Sequence, residues 1–336
     1  MKWSVLDQSP VSEGRGEDQA IRDSLVLAQD CDRLGYERFW LSEHHALASV
    51  AGTAPEVLAA AVAATTRRIR VGSAGVMLPH YSALKVAEQF RVLEAIAPGR
   101  IDLGVGRAPG SDGLTARALN AHSNVDEFPR QVQELDHWVR NEPLPEGHPY
   151  RGITAHPTGA TSPPLWILGS SAYGAQLAAY LGLPYAFAYF FSDGAGVEEA
   201  LASYRRNFRP SGRLGAPHAT VCVWALAADT AAQAQLLLTA REHWRIGFEK
   251  GLRVPLVSPE KAAGHPYTPA EQATLERLRA AAFAGSAVQV AGRLRELGER
   301  LGLDEIVINT WTYDPEARRH SYALLAEAFG LLAGSE

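Results

Sequence analysis

Cysteine is almost absent from this 336-residue chain: Cys31 and Cys222 are the only two. Two cysteines build no disulfide framework and cannot supply a four-thiolate metal site. No apolar run approaches the roughly 20 residues of a membrane-spanning helix, and the opening MKWSVLDQSP lacks the apolar core of a signal peptide. Lysine and arginine never cluster along one helical face, and the net charge is −5 with a pI near 6.1. That leaves no electrostatic footprint for nucleic acid or for an anionic membrane. These absences point to a reduced, cytoplasmic protein with neither nucleic acid nor membrane as partner.

What is present is ordinary for a globular chain: 46% hydrophobic and 21% charged residues, enough for a large core. Residues 1–336 read as one domain, since α/β barrels run past about 200 residues as a unit. Short apolar runs with strand character fall at 3–7, 38–42, 69–78, 100–106, 164–170, 185–190, 219–227 and 305–311. Amphipathic helical stretches lie between most of them, at 18–34, 55–66, 82–96, 127–140, 173–181 and 288–301. Such alternation predicts parallel strands with right-handed crossovers, as a (β/α)8 TIM barrel or a doubly wound sheet, and eight strands favour the barrel. Pro55 marks a helix start, and Gly35 and Gly182 mark helix ends. Residues 107–125 and 252–269 break the rhythm and read as insertion loops of the kind that become lids or binding loops.

Each candidate site follows a strand, where barrel sites are built. In FWLSEHH, residues 39–45, buried strand gives way to Glu43, His44 and His45. Side chains alternate along a strand, so the two imidazoles do not readily share a metal ion, and no second motif supplies further ligands. A proton-handling imidazole and a polar strand end reaching solvent remain as readings. In VGSAGVMLP, residues 71–79, the small residues around Ala74 and Gly75 suit either tight packing or a flat ligand against bare backbone. DLGVGRAPGSDG fails as a dinucleotide loop, because Pro109 stands where the third glycine is needed. It leaves Arg107, a cation able to grip a phosphate or to form a surface ion pair. WILGSSAYG carries Gly169, Ser170 and Ser171 directly into a helix, which is an anion site unless a serine simply caps that helix.

Together, FWLSEHH, VGSAGVMLP, the Gly-Arg pair after the fourth strand and GSSAYGAQLAAYLGLPYAFA resemble the bacterial luciferase-like flavin monooxygenases, in order over most of the chain. The resemblance implies a (β/α)8 barrel binding FMN at the carboxyl ends of its strands. It implies that His44 is the catalytic histidine, that Ala74-Gly75 is a cis peptide beneath the flavin ring, and that Arg107, Ser170 and Ser171 hold the phosphate. Glu43 matches a carboxylate near the ring. Gly106, Gly174 and the Ala188-Tyr189 pair depart from the luciferases proper, where a cysteine, a hydroxyl residue and a Ser-Trp pair under the ring stand; the resemblance implies that Tyr189 is the cofactor contact at that place. This makes a long-chain aldehyde a poor substrate candidate.

The implied activity uses reduced FMN, delivered by a separate NAD(P)H:flavin reductase, and O₂ to oxygenate a small organic substrate. Two alternatives share the anion site: hydride transfer with the deazaflavin F420, and a flavin-binding partner subunit without turnover. The resemblance also implies a homodimer pairing through the helices at 55–66 and 82–96, and the 252–269 segment is a candidate lid.

Overall fold

The computed structural model describes residues 1–331. Its strands, in chain order, are β1 (Lys2–Asp7), β2 (Arg38–Leu41), β3 (Arg70–Met77), β4 (Ile101–Gly106), β5 (Leu165–Gly169), β6 (Tyr185–Phe187), β7 (Ala219–Ala228), β8 (Phe283–Ser286) and β9 (Glu305–Asn309). All their pairings are parallel. Strands β1 to β7 follow one another round the sheet, and β9 bridges β7 to β1, which closes an eight-stranded barrel. The expected (β/α)8 architecture is the one observed, and its eight strands are those the apolar runs marked.

Strand β8 is an addition. The long β7 offers Val221–Trp224 to β9 and its last residues, Ala225–Ala228, to β8, so β8 lies beside the barrel mouth. Its FAGS sequence is too short and too small-sided to show alternation, which is why the apolar pattern does not reveal it.

The six expected helices form within a residue or two of their expected bounds: Glu17–Leu34, Pro55–Thr65, Ala83–Ile96, Phe128–Val139, Ala172–Leu181 and Ala287–Leu301. Gly35 and Gly182 end two of them in the left-handed region, at φ 85° and 63°, where a Cβ is unfavourable. Further helices at Val197–Asn207, Ala231–Glu249, Pro269–Ala281 and Pro315–Phe329 complete the outer layer. The two insertion segments are partly ordered. The first contains the helix Gly113–Leu119, capped by Asp112, and the second contains Pro259–Ala263 and a bridge from Leu256 to Ser12. The longest irregular connection is 140–164, pinned by Arg91 to the carbonyls of Val139, Pro157 and Thr161.

Strand alternation sorts the barrel. Phe39 and Leu41 pack outward into the large core between strands and helices, while Trp40 joins Leu6, Trp166, Ala186, Cys222 and Val307 inside. The amino-terminal end is plugged by buried charge. Arg38 bonds to both Asp102 and Glu305 at 2.8 Å, and Arg70 bonds to Asp102 at 2.6 Å. Each of these carboxylates is fully buried but paired, the condition under which burying a charge is tolerable. With one end sealed, only the carboxyl end is open for chemistry.

Candidate active site

At that end lies a cavity of about 540 Å³, within the range of small-molecule and cofactor sites. Strand β2 shows how sequence periodicity builds its wall. Arg38, Trp40, Ser42 and His44 are spaced two apart and follow the inward face from plug to core to cavity. Phe39, Leu41, Glu43 and His45 occupy the opposite phase. Ser42 and His44 both line the cavity, and Ser42 Oγ lies 3.1 Å from His44 Nδ1. That contact orients the ring and leaves Nε2 without a protein partner among the described residues. Burial pulls the His44 imidazole down to about 4, against the opposing pull of Glu43, so the ring is neutral at neutral pH.

Glu43 is fully buried, and both of its oxygens are engaged. Tyr81 donates its hydroxyl to Oε1 at 2.7 Å, His45 Nε2 meets the same oxygen at 2.8 Å, and the Met77 amide donates to Oε2 at 3.0 Å. This carboxylate ties the end of β2 to the end of β3. The solvent-exposed strand end considered for FWLSEHH is therefore not what forms. His45 is directed at Glu43 and away from the cavity, and the two histidines diverge.

The small residues of β3 pack tightly against β4 and also line the cavity. Gly72 lets β3 and β4 approach, since a Cβ there would collide with the Asp102 backbone. Ala74 and Gly75 line the cavity, and the peptide between them is cis. A Cβ at Gly75 would meet the Gly104 carbonyl oxygen at 2.8 Å, and the β3–β4 register shifts between Ala74 and Val76, a local bulge. Here the wall is backbone.

Arg107, Gly169, Ser170 and Ser171 all line the cavity beside the ends of β4 and β5. The Arg107 guanidinium lies 3.9 Å from the centroid of Tyr173 and makes no ion pair among the described residues, so the surface ion pair is excluded there. Ser171 immediately precedes the ten-residue helix Ala172–Leu181, yet its side chain makes no capping bond. An unpaired cation, free hydroxyls and the unsatisfied amides of a helix start converge on one place, a donor set suited to an anion.

Tyr189 is the exception among the expected site residues. Ala186 in β6 and Ala188 just after it take the inward positions, so Tyr189 falls in the outward phase and begins the short helix Tyr189–Ser192. Its ring packs against Phe283 at 6.1 Å, and the neighbouring Phe190 and Phe191 line the cavity in its place. Sequence reasoning missed the opposite wall as well, made by Trp224, Arg241, Trp244 and Trp311. Trp311 was findable, being two residues beyond Asn309 on the inward phase of β9. Arg241 and Trp244 sit inside a long helix and carry no local signal.

A closed parallel barrel sealed at one end, with a cavity carrying an anion-seeking corner at the other, is the build of a small-molecule barrel enzyme. The sequence profile of the luciferase-like monooxygenases matches residues 1–305, and the chain belongs to that family. It is 39% identical over 335 residues to a luciferase-like monooxygenase of Escherichia coli (strain K12), covering 99% of this chain and 98% of that one. It is 38% identical over 333 residues to the N-acetyl-S-alkylcysteine monooxygenase of Bacillus subtilis (strain 168), covering 98% of each chain. The crystal structure of apo-MsnO8 superposes with a TM-score of 0.89 at 36% identity, covering 98% of both chains. The fold is also shared with two more distant structures. One is the oxygenating constituent of 3,6-diketocamphane monooxygenase from Pseudomonas putida in complex with FMN (TM-score 0.71, 18% identity, 98% of this chain and 97% of that one). The other is an F420-dependent secondary alcohol dehydrogenase with an F420-acetone adduct (TM-score 0.69, 12% identity, 98% of both chains).

Proposed function

We propose that this protein is a reduced-FMN-dependent monooxygenase acting on a small organic substrate. The observation that carries the reading is the pairing, in one cavity, of an unpaired Arg107 beside an uncapped helix start with a neutral His44. Arg107, the Ser170 and Ser171 hydroxyls and the first amides of the helix Ala172–Leu181 would hold the cofactor phosphate. Ala74 and Gly75 offer bare backbone to a flat ring. Reduced FMN supplies the electrons and the reactivity toward O₂ when bound, and the protein supplies position, dryness and protons. His44 gives or takes a proton at Nε2 while Ser42 keeps the ring aimed. The aromatic wall keeps bulk water from the reacting face.

F420 would use the same phosphate corner. The monooxygenase relatives at 38–39% identity favour oxygenation over hydride transfer. His44, open to the cavity at Nε2, speaks against a subunit without turnover. The oxygenase is proposed to work in the cytoplasm as a homodimer, supplied by a separate NAD(P)H:flavin reductase. The term "oxygenating constituent" for the diketocamphane protein supports that division of labour. Feeding the protein with FMN, a flavin reductase and NADH under ¹⁸O₂, beside a panel of small organic compounds, tests the reading by mass spectrometry. Label in a product supports it; turnover under anaerobic conditions with F420 would replace it.

A further inference from the structure

The cavity holds a second unpaired cation. Arg241, on the helix Ala231–Glu249, is 6% exposed, lines the cavity and lies with its guanidinium 4.2 Å from the centroid of Trp224. It has no ion pair and no hydrogen bond among the described residues, whereas the charges around it are committed. Glu242 is held by Arg279 at 2.8 Å, Arg245 pairs with Glu249 at 3.0 Å and donates to the Phe191 carbonyl at 2.9 Å, and Arg253 donates to the carbonyls of Phe248 and Leu252. Asp193 acts on Arg241 only from beyond ion-pair distance. Burial and the nearby Arg245 pull the guanidinium down to about 10, which leaves it charged at neutral pH.

A buried cation without a counter-charge is costly, and an incoming anion relieves that cost. The surroundings specify which kind. The wall beside Arg241 is built from Trp224, Trp244, Phe248 and Trp311, and the buried indole N–H groups of its three tryptophans have no acceptor among the described residues. Arg241 therefore stands as a buried, unpaired cation against a largely aromatic wall. One guanidinium matches one planar, singly charged group through two parallel hydrogen bonds, while a doubly charged phosphate would stay half neutralised. Arg241 follows β7, three strands round the barrel from the β4 end that carries Arg107. The two cations serve different ends of the cavity.

We propose that Arg241 anchors a carboxylate on the substrate, so that the organic substrate is a small carboxylic acid with its apolar body among Trp244, Phe248 and Trp311. This rests on the flavin reading only in giving Arg107 to the cofactor phosphate. Phenylacetate and hexanoate, each beside its neutral amide, can be titrated calorimetrically into the full chain with and without saturating FMN. At least one acid should bind about tenfold or more tightly than its amide. Arg241→Gln should erase the preference without changing FMN affinity, and Arg241→Lys should keep part of it. No acid preferred over its amide, whether both bind equally or neither binds at millimolar concentration, overturns the proposal, and this comparison needs only the parent chain. Loss of FMN affinity in Arg241→Gln would make Arg241 a cofactor ligand and overturns it too. Absence of FMN binding to the parent, with acid preference intact, counts against the flavin reading alone.

Discussion

Ser42 and His44, two residues apart just past the end of β2, meet at 3.1 Å between Oγ and Nδ1, and this contact points the far side of the imidazole at open cavity. Burial holds that imidazole at about 4, below its ordinary 6.5. Between those two values the unfolded chain takes up a proton at His44 that the folded chain refuses. Its contribution to stability is therefore complete above about pH 6.5 and is lost as pH falls toward about 4. Urea midpoints at neutral and mildly acid pH should show this loss in the parent, with a shallower loss in His44→Gln. In NMR, the imidazole signal that disappears in His44→Gln should titrate near 4; titration near 6.5 would remove the buried, neutral His44 from the account.

The two adjacent histidines should fail in different ways. His44→Ala should bind reduced FMN nearly as well as the parent and lose oxygenation about 10²–10⁴-fold, the usual worth of a positioned acid or base. His45→Ala removes a partner of the buried Glu43 and should cost about 1–3 kcal/mol of stability while turnover per folded molecule persists. Glu43→Ala should be worse, because it strands Tyr81, His45 and the Met77 amide at once. Equal turnover in His44→Ala and the parent would return this residue to the wall.

Arg107→Ala should weaken FMN binding about tenfold or more, since each charge-assisted contact is worth about 1.5–3 kcal/mol, and should leave riboflavin binding unchanged. Riboflavin lacks the phosphate, so the pair separates a phosphate contact from general damage to the cavity. An Arg107→Ala protein with parental FMN affinity would place the phosphate elsewhere.

The barrel was legible in the sequence because its eight strands are apolar runs at intervals that only crossover helices fill. The inward column Trp40, Ser42, His44 was legible too, since period-two alternation carries past the last paired residue of β2. Tyr189 lies off the cavity wall where the resemblance implies a cofactor contact, because alternation puts Ala188 inward. β8, only four residues long and three of them small, and the Arg241 wall lay beyond local reading. A cavity residue in the middle of a long helix looks like any surface arginine until the helix is laid across the barrel mouth.

Val57 and Val92, on the helices Pro55–Thr65 and Ala83–Ile96, are 64% and 48% exposed, apolar surface through which the proposed dimer would pair. Sedimentation at micromolar concentration should give twice the 36.2 kDa chain mass, and Val57→Glu with Val92→Glu should give the monomer. A monomeric parent ends that proposal.

The choice of reduced FMN as the cofactor is tested most directly by anaerobic titration of the protein with reduced FMN, reduced riboflavin and reduced F420 side by side. Reduced FMN should saturate the protein at one equivalent per chain, with reduced riboflavin weaker by the worth of the phosphate contacts and F420 weaker than FMN. Preferential binding of reduced F420, or equal binding of FMN and riboflavin, would contradict that choice.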